Sequence, residues 1–366
     1  MQKPVFHRLY EARPVLFQSG LSLVELLIAM ALGLLLTLGV TQIYLSSSVT
    51  YRQTEGLAYA QESTRFVSAM LAPDLRSAGS FGCLAQMGRS LDQIVDNRLS
   101  GGLIVPLTQA LQGWEYTDTG PGDAITLAGT LSTPAAGNWN SGILGTDLPS
   151  DLTGSVVTNS DVIIVNALTP LDVQVTATTN SGDNSMNLSG GTGVAANQVV
   201  VATRGDCSEG ELFQKSDLPG SATITITNPT FNLTYDSYTK IYEFTTMAYY
   251  IGEGTNDEPA LFRRSLTPLQ NPQELVSGVE TLQILYGIDT GGSNAADDYV
   301  PADEVANWDT VASVRFAVMT RSPDEVLDEE NTRNFNILGS EVAQANNGDR
   351  RVRLVSAVTT ALRGKM

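Results

Sequence analysis

Side chains able to serve as general bases, nucleophile partners or metal ligands are scarce in this chain. Its 366 residues include one histidine, His7, and two cysteines, Cys83 and Cys207. His7 lies among basic residues ahead of a long apolar run, in a stretch read below as a leader that is cut away. Without it the protein has no imidazole, which excludes Ser-His-Asp and Cys-His nucleophile pairs and any His-ligated zinc or iron site. Carboxylate or lysine catalysis stays open in principle, but no such site can be singled out. The expectation is a protein that is not an enzyme and holds no cofactor and no metal.

The carboxylates gather at Asp297, Asp298, Asp303 and Glu304, and again at Asp324, Glu325, Asp328, Glu329 and Glu330. Calcium takes such oxygens, yet neither cluster has the twelve-residue loop spacing with its central Gly, so both read as solvated acidic loops. Lys and Arg number 21 against 39 Asp and Glu, for a net charge of −18. That balance disfavours a phosphate-backbone binder. The basic C-terminal stretch, with Arg350, Arg351, Arg353, Arg363 and Lys365, reads instead as a strand whose arginines meet acidic groups of the same head.

One carboxylate stands apart. Residues 1–20 carry Lys3, Arg8 and Arg13 against Glu11 and end in Gln18-Ser19-Gly20. An apolar run from Leu21 to Leu45 follows, about the length that crosses a bilayer as a helix, and Glu25 is its one charge. Basic residues on the N-terminal side place that end in the cytoplasm and the rest outside. A carboxylate in such a span is unfavourable by roughly 2.5–3.5 kcal/mol at the bilayer centre, so it calls for a partner or a function. An ordinary secretory signal is cut after its apolar segment, whereas the small residue here, Gly20, stands before it. Cleavage at Gly20 would keep the helix and make the α-amine of Leu21 a cation near Glu25. In a packed filament that amine and a neighbouring subunit's carboxylate could neutralise each other. An uncleaved signal anchor is the plainer alternative.

Gly20, Leu21, Glu25 and the run Leu26-Leu27-Ile28-Ala29-Met30-Ala31-Leu32-Gly33 resemble the class III signal of type IV prepilins and type II secretion pseudopilins. The resemblance implies cleavage between Gly20 and Leu21 by a prepilin peptidase, N-methylation of Leu21, and a role for Glu25 in assembly. Loss of the leader would leave 18 basic against 38 acidic residues.

The helix is expected to run on past the membrane. Leu57, Ala60, Thr64, Val67 and Leu71 recur at helical spacing, with Arg52, Glu55, Glu62 and Arg65 off that stripe. From Leu21 to the mid-70s the helix would be about 80 Å long, its second half packed on a globular head. The chain is thus divided into a leader at 1–20, a long helix at 21–78 (21–45 transmembrane) and a head at 79–366. A charged fraction of 16% beside 42% hydrophobic residues fits a head rich in Thr, Ser, Gly and Asn. Strand-like runs fall at 161–166, 198–203, 222–227, 244–251, 282–288 and 311–320. The Thr/Ser/Gly/Asn-rich stretches 117–160 and 176–198 read as long surface loops. The fold class expected is α+β, a long N-terminal helix on a mostly antiparallel sheet.

Cys83 and Cys207 fall in the part that would lie outside the cytoplasm, where disulfides persist. Their even number invites one bridge; two buried free thiols are the alternative, and a metal pair is the poorest reading.

Several stations in the head resemble the PilW type of minor pilin. They are Arg76-Ser77-Ala78-Gly79-Ser80-Phe81-Gly82-Cys83, Val199–Cys207 followed by Glu211-Leu212-Phe213, Gly278–Asp289, and Arg350–Arg363. The segment 84–160 resembles nothing placed. The resemblance implies a structural subunit held in the inner membrane of a Gram-negative cell, its head in the periplasm, and then extracted into a type IV pilus. Implied partners are the prepilin peptidase, other minor and major pilins, the inner-membrane assembly platform and a tip adhesin, with membrane lipid before assembly and no nucleic acid. The bulk of the head suits a tip or initiation complex that primes assembly. A J-type pseudopilin of type II secretion shares these features, and a signal-anchored extracytoplasmic binding module is the alternative of a different class.

Overall fold

The computed structural model describes residues 20, 22–87, 91–99, 103–106, 109–127, 130–226, 230–344 and 348–362. The chain divides into two compact units, one ending at Tyr51 and the other running from Arg52 onward.

The first unit consists of the beginning of helix α1 (Leu23–Ser77). Ser22 starts it, its hydroxyl accepting the Glu25 N–H at 3.2 Å, the first half of a capping box. Among the described residues the most apolar stretch of the helix is wholly unburied, and the helix is long and apolar enough to cross a membrane. Three of its threonines turn their hydroxyls to the helix backbone, as suits apolar surroundings. Thr37 donates to the Gly33 carbonyl at 2.7 Å, Thr41 to Thr37 at 2.8 Å and Thr50 to Ser46 at 2.9 Å.

In the second unit α1 buries Gly56, Ala60, Ser63, Thr64, Val67, Leu71 and Leu75. The expected stripe is there with one change at its start, since Leu57 is 39% exposed and Gly56 takes the inner position. The reason is steric. A Cβ at residue 56 would come within 2.9 Å of Val326 Cγ2 and 3.1 Å of Ser322 Cβ, so only glycine admits the 322–326 segment. Pro73 lies inside the helix, which continues to Ser77; its missing N–H forfeits one bond near an end where the helix is about to stop anyway.

The strands are, in chain order, β1 (Val95–Asn97), β2 (Leu111–Tyr116), β3 (Ala124–Thr126), β4 (Trp139–Asn140), β5 (Val162–Pro170) and β6 (Ser185–Asn187). Next come β7 (Val199–Thr203), β8 (Gly210–Gln214), β9 (Thr223–Thr225), β10 (Lys240–Glu253), β11 (Pro259–Thr267) and β12 (Gln273–Ser277). The last six are β13 (Val279–Ile288), β14 (Asp298–Val300), β15 (Val311–Arg321), β16 (Phe335–Ile337), β17 (Ser340–Ala343) and β18 (Arg353–Ala361).

The main sheet runs β1-β8-β7-β10-β5-β2-β4, with β11 and β12 joined through β10. The fourteen-residue β10 organises it: Lys240–Phe244 pair with β7, Thr246–Glu253 with β11, and Tyr242–Tyr249 with β5. A second sheet, β14-β13-β15-β18, is antiparallel throughout. Parallel pairing occurs at β1 with β8 and at β17 with β3, so the fold is α+β with a mostly antiparallel, mixed β domain. One core joins Val67, Leu71 and Leu75 of α1 to Ile163, Tyr249, Leu282, Ile284, Phe316 and Val318 of the sheets. Full burial of each such side chain contributes roughly 1.5–3 kcal/mol.

The six expected strands are present, within a few residues at most ends. The two stretches read as surface loops are different in the structure. Residues 117–160 contain β3 and β4 and bury Ile125, Trp139, Leu148, Leu152, Val156 and Val157. Residues 176–198 contain β6, which pairs with β9 over a core of Met186, Leu188, Ile224, Phe231 and Tyr235. Their apolar residues are sparse and irregularly spaced among polar ones, so no strand or helix period shows.

Candidate functional site

The residues that the sequence singles out lie in three places. Gly20 is exposed and has open space around its Cα; Leu21 and the basic residues before it lie outside the described residues. Glu25 sits in the first turn of α1, where a carboxylate complements the unpaired N–H groups and the positive end of the helix. The apolar side chains beyond it point outward, Leu23, Leu34, Leu36 and Ile43 being 74%, 66%, 71% and 72% exposed. Such a surface is stable only against lipid or another protein.

Cys83 and Cys207 are joined by a disulfide, with Cα atoms 5.9 Å apart. The bridge ties the segment just after α1 to the turn between β7 and β8. Spanning 124 positions of sequence, it stabilises by about 4–5 kcal/mol in the chain-entropy account.

The C-terminal arginines form the third place, an ion-pair network around the start of β18. Arg353, 4% exposed, sends Nε and one terminal nitrogen to Glu280 at 2.7 and 2.8 Å, and reaches Asp349 at 2.6 and 2.8 Å. Arg321 pairs with Glu280 at 3.1 Å and with Glu258, and Arg351 meets Glu258 at 3.1 Å. Arg350 lies outside this knot, on Glu325 at 3.1 Å. Burial disfavours the charge of Asp349, yet the bonds from Arg353 hold its carboxyl below the usual range. These arginines therefore fasten β18 to β13, to β15 and to the residue that leads into β11, as the charge balance suggested; Arg363 and Lys365 lie outside the described residues.

A second polar cluster went unnoticed in the sequence. Glu115 of β2 and Asp161, just ahead of β5, are 4% and 1% exposed. Asp161 accepts backbone N–H bonds from Ile284 at 2.7 Å and Tyr116 at 3.3 Å. Thr119 donates its hydroxyl to Glu115 Oε1 at 3.0 Å. As two ionised groups they would leave Glu115 Oε2 without a donor; a proton on Glu115 makes that contact a hydrogen bond to Asp161. Burial pushes Asp161 up to about 8, with the charge of Asp303 adding to it, and pushes Glu115 well above the ordinary carboxyl range, with the charges of Asp161 and Asp303 adding to it. The Tyr286 hydroxyl, also buried, faces the same pair and is pushed upward by burial and by both acids. Only alternation in β2, with Glu115 on the same face as Leu111 and Gly113, could have flagged this, and a glutamate there reads as solvent-facing.

Among the described residues of these places no nucleophile is brought together with a base. What the described residues provide is an unburied apolar helical stretch with one acid in its first turn and, separately, a covalently and ionically braced β head. Comparison with curated proteins gives no match. Residues 248–364, from within β10 to beyond β18, match the PilW family, type IV pilus-assembly protein W, and this supports a PilW-type identification of the chain.

Proposed function

We propose that this protein is a structural minor pilin. In this reading prepilin peptidase cuts between Gly20 and Leu21, the Leu21 amine is methylated, and the inner membrane holds α1 until the subunit is extracted into a type IV pilus. Other minor and major pilins then cover the apolar half of α1, replacing lipid contact with protein contact. The large head favours a place in a tip complex that primes assembly and carries an adhesin, since loops of this size would collide if repeated along a shaft. The observation that carries the reading is the wholly unburied apolar stretch of α1, in a chain that matches a pilus-assembly family.

Mass spectrometry of the purified protein tests the first step, with a mature chain beginning at methylated Leu21 as the expected result. Gly20→Val should abolish that product and leave the leader attached. A Gly20→Val protein of normal mature mass would refute the cleavage assignment.

Glu25 stands where a local use as well as the proposed one is open to it, the third position after Ser22, whose hydroxyl already accepts its N–H in the first half of a capping box. Gln in place of Glu can keep such a cap while losing the charge. Glu25→Ala and Glu25→Gln should therefore both be processed, and both should fail to enter filaments if charge pairing with a terminal amine matters. Normal piliation of the Gln variant alone would reduce Glu25 to a helix cap.

A further inference from the structure

The head exposes one adjacent pair of large aliphatic side chains among the described residues outside α1. Ile143 and Leu144 are 64% and 93% exposed at the apex of a tight turn. The turn is held firmly for something so exposed. Ser141 and Thr146 exchange backbone bonds at 3.1 and 3.0 Å, and the Gly145 N–H reaches the Gly142 carbonyl at 3.0 Å. Gly142 and Gly145 both adopt the left-handed conformation, φ 66° and 65°, that closes the turn. The Gly142 and Ile143 N–H groups donate to the carbonyls of Ala302 and Val305 at 2.8 and 3.2 Å. Behind it, Gln112 donates to the Ser141 hydroxyl at 2.8 Å and the Trp114 indole to the Asp147 carbonyl at 3.0 Å. Two apolar side chains are thus displayed on a frame that loses little freedom on binding, which is how small anchors gain affinity.

The surroundings say what could receive them. No lysine or arginine occurs between Arg98 and Arg204, or between Arg264 and Arg315, the two segments that meet at this turn. Exposed Asp147, Asp303 and Glu304 flank it instead. An anionic membrane surface would be repelled, and a second copy docking by the same patch would bring like charges together. We infer that the Ile143–Leu144 turn is a docking anchor for a different protein, one that offers an apolar pocket rimmed by basic side chains. The inference stands on the turn and its charges, independently of the pilus reading.

The test places the photocrosslinker benzoylphenylalanine at position 144 of the full-length chain, made in its native cell, with the same group at Leu218, 73% exposed, as reference. Yields are normalised to protein with an intact Cys83–Cys207 bridge, which scores folding. The expected product joins residue 144 to another protein, at a peptide carrying Lys or Arg. The paired substitution Asp147→Lys and Glu304→Lys should reduce its yield about tenfold, while Asp172→Lys, at an exposed acid away from the turn, leaves it unchanged. Crosslinking to lipid, to a second copy, or at no higher yield than from position 218 would overturn the inference, as would indifference to the paired charge reversal.

Discussion

Replacing Arg353 by Met should lower the unfolding free energy of the detergent-solubilised protein by about 3–5 kcal/mol, measured by urea titration at neutral pH. The guanidinium is nearly inaccessible and makes four short contacts, two on Glu280 and two on Asp349. Met fills a comparable volume, so the loss would come from stranded carboxylates and not from a cavity. Glu280 would retain Arg321, whereas Asp349 would keep the Arg351 backbone N–H at 2.9 Å but a guanidinium only at 3.9 Å. Arg353→Lys should fall between wild type and Met, because one ammonium cannot fork onto two carboxylates. A loss below about 1 kcal/mol for Met would mean the network behaves like an exposed set of ion pairs.

The second large effect is one of pH, with the protein losing stability on the alkaline side. Glu115 and Asp161 bind protons more tightly folded than unfolded, so the folded chain holds more protons between their unfolded values near 4 and the value of about 8 for Asp161. Over that window stability falls as pH rises, by about 1.4 kcal/mol per pH unit for each extra proton held. The share that belongs to Asp161 is complete below pH 4 and is gone once Asp161 ionises. Asp349, held low by Arg353, has the opposite sign and acts only in acid. Glu115→Gln should flatten the alkaline slope in thermal or urea unfolding between pH 6 and 9, since an amide can donate permanently where Glu115 needs a proton. Asp161→Asn should destabilise at every pH, because both oxygens of Asp161 accept backbone N–H groups. An unchanged slope in the Gln variant would show that the pair does not share a proton.

These effects mark where sequence reading succeeds and where it stops. The unbroken apolar run and the helical spacing of Ala60, Thr64, Val67 and Leu71 made α1 legible, as β-branched runs did for β5, β7, β10, β13 and β15. Strands such as β2 and β8 were missed because a central glutamate breaks the apolar pattern, and in both cases that glutamate is buried. Glu211 of β8 is satisfied by the Asn232 and Leu233 N–H groups and the Tyr235 hydroxyl. Partners 21 to 24 residues away are invisible to a local window. Gly56 was passed over for Leu57 because hydropathy rewards the larger side chain, whereas contact distance selected the smaller. The head motifs at 278–289 and 350–363 pointed to the PilW type through short runs, and the region that matches that family contains both.

The disulfide also decides how a mechanical load would travel. A pull arriving along α1 reaches Cys83 six residues after the helix ends and crosses directly to Cys207. The covalent path then bypasses everything between those two cysteines, including β1 through β7, which share the load only through noncovalent contacts, among them hydrogen bonds to β8 and β10. Traction is handed to the chain from β8 onward, the part that carries β10 and the arginine knot, so a subunit under tension could be stretched only through its most densely tied portion.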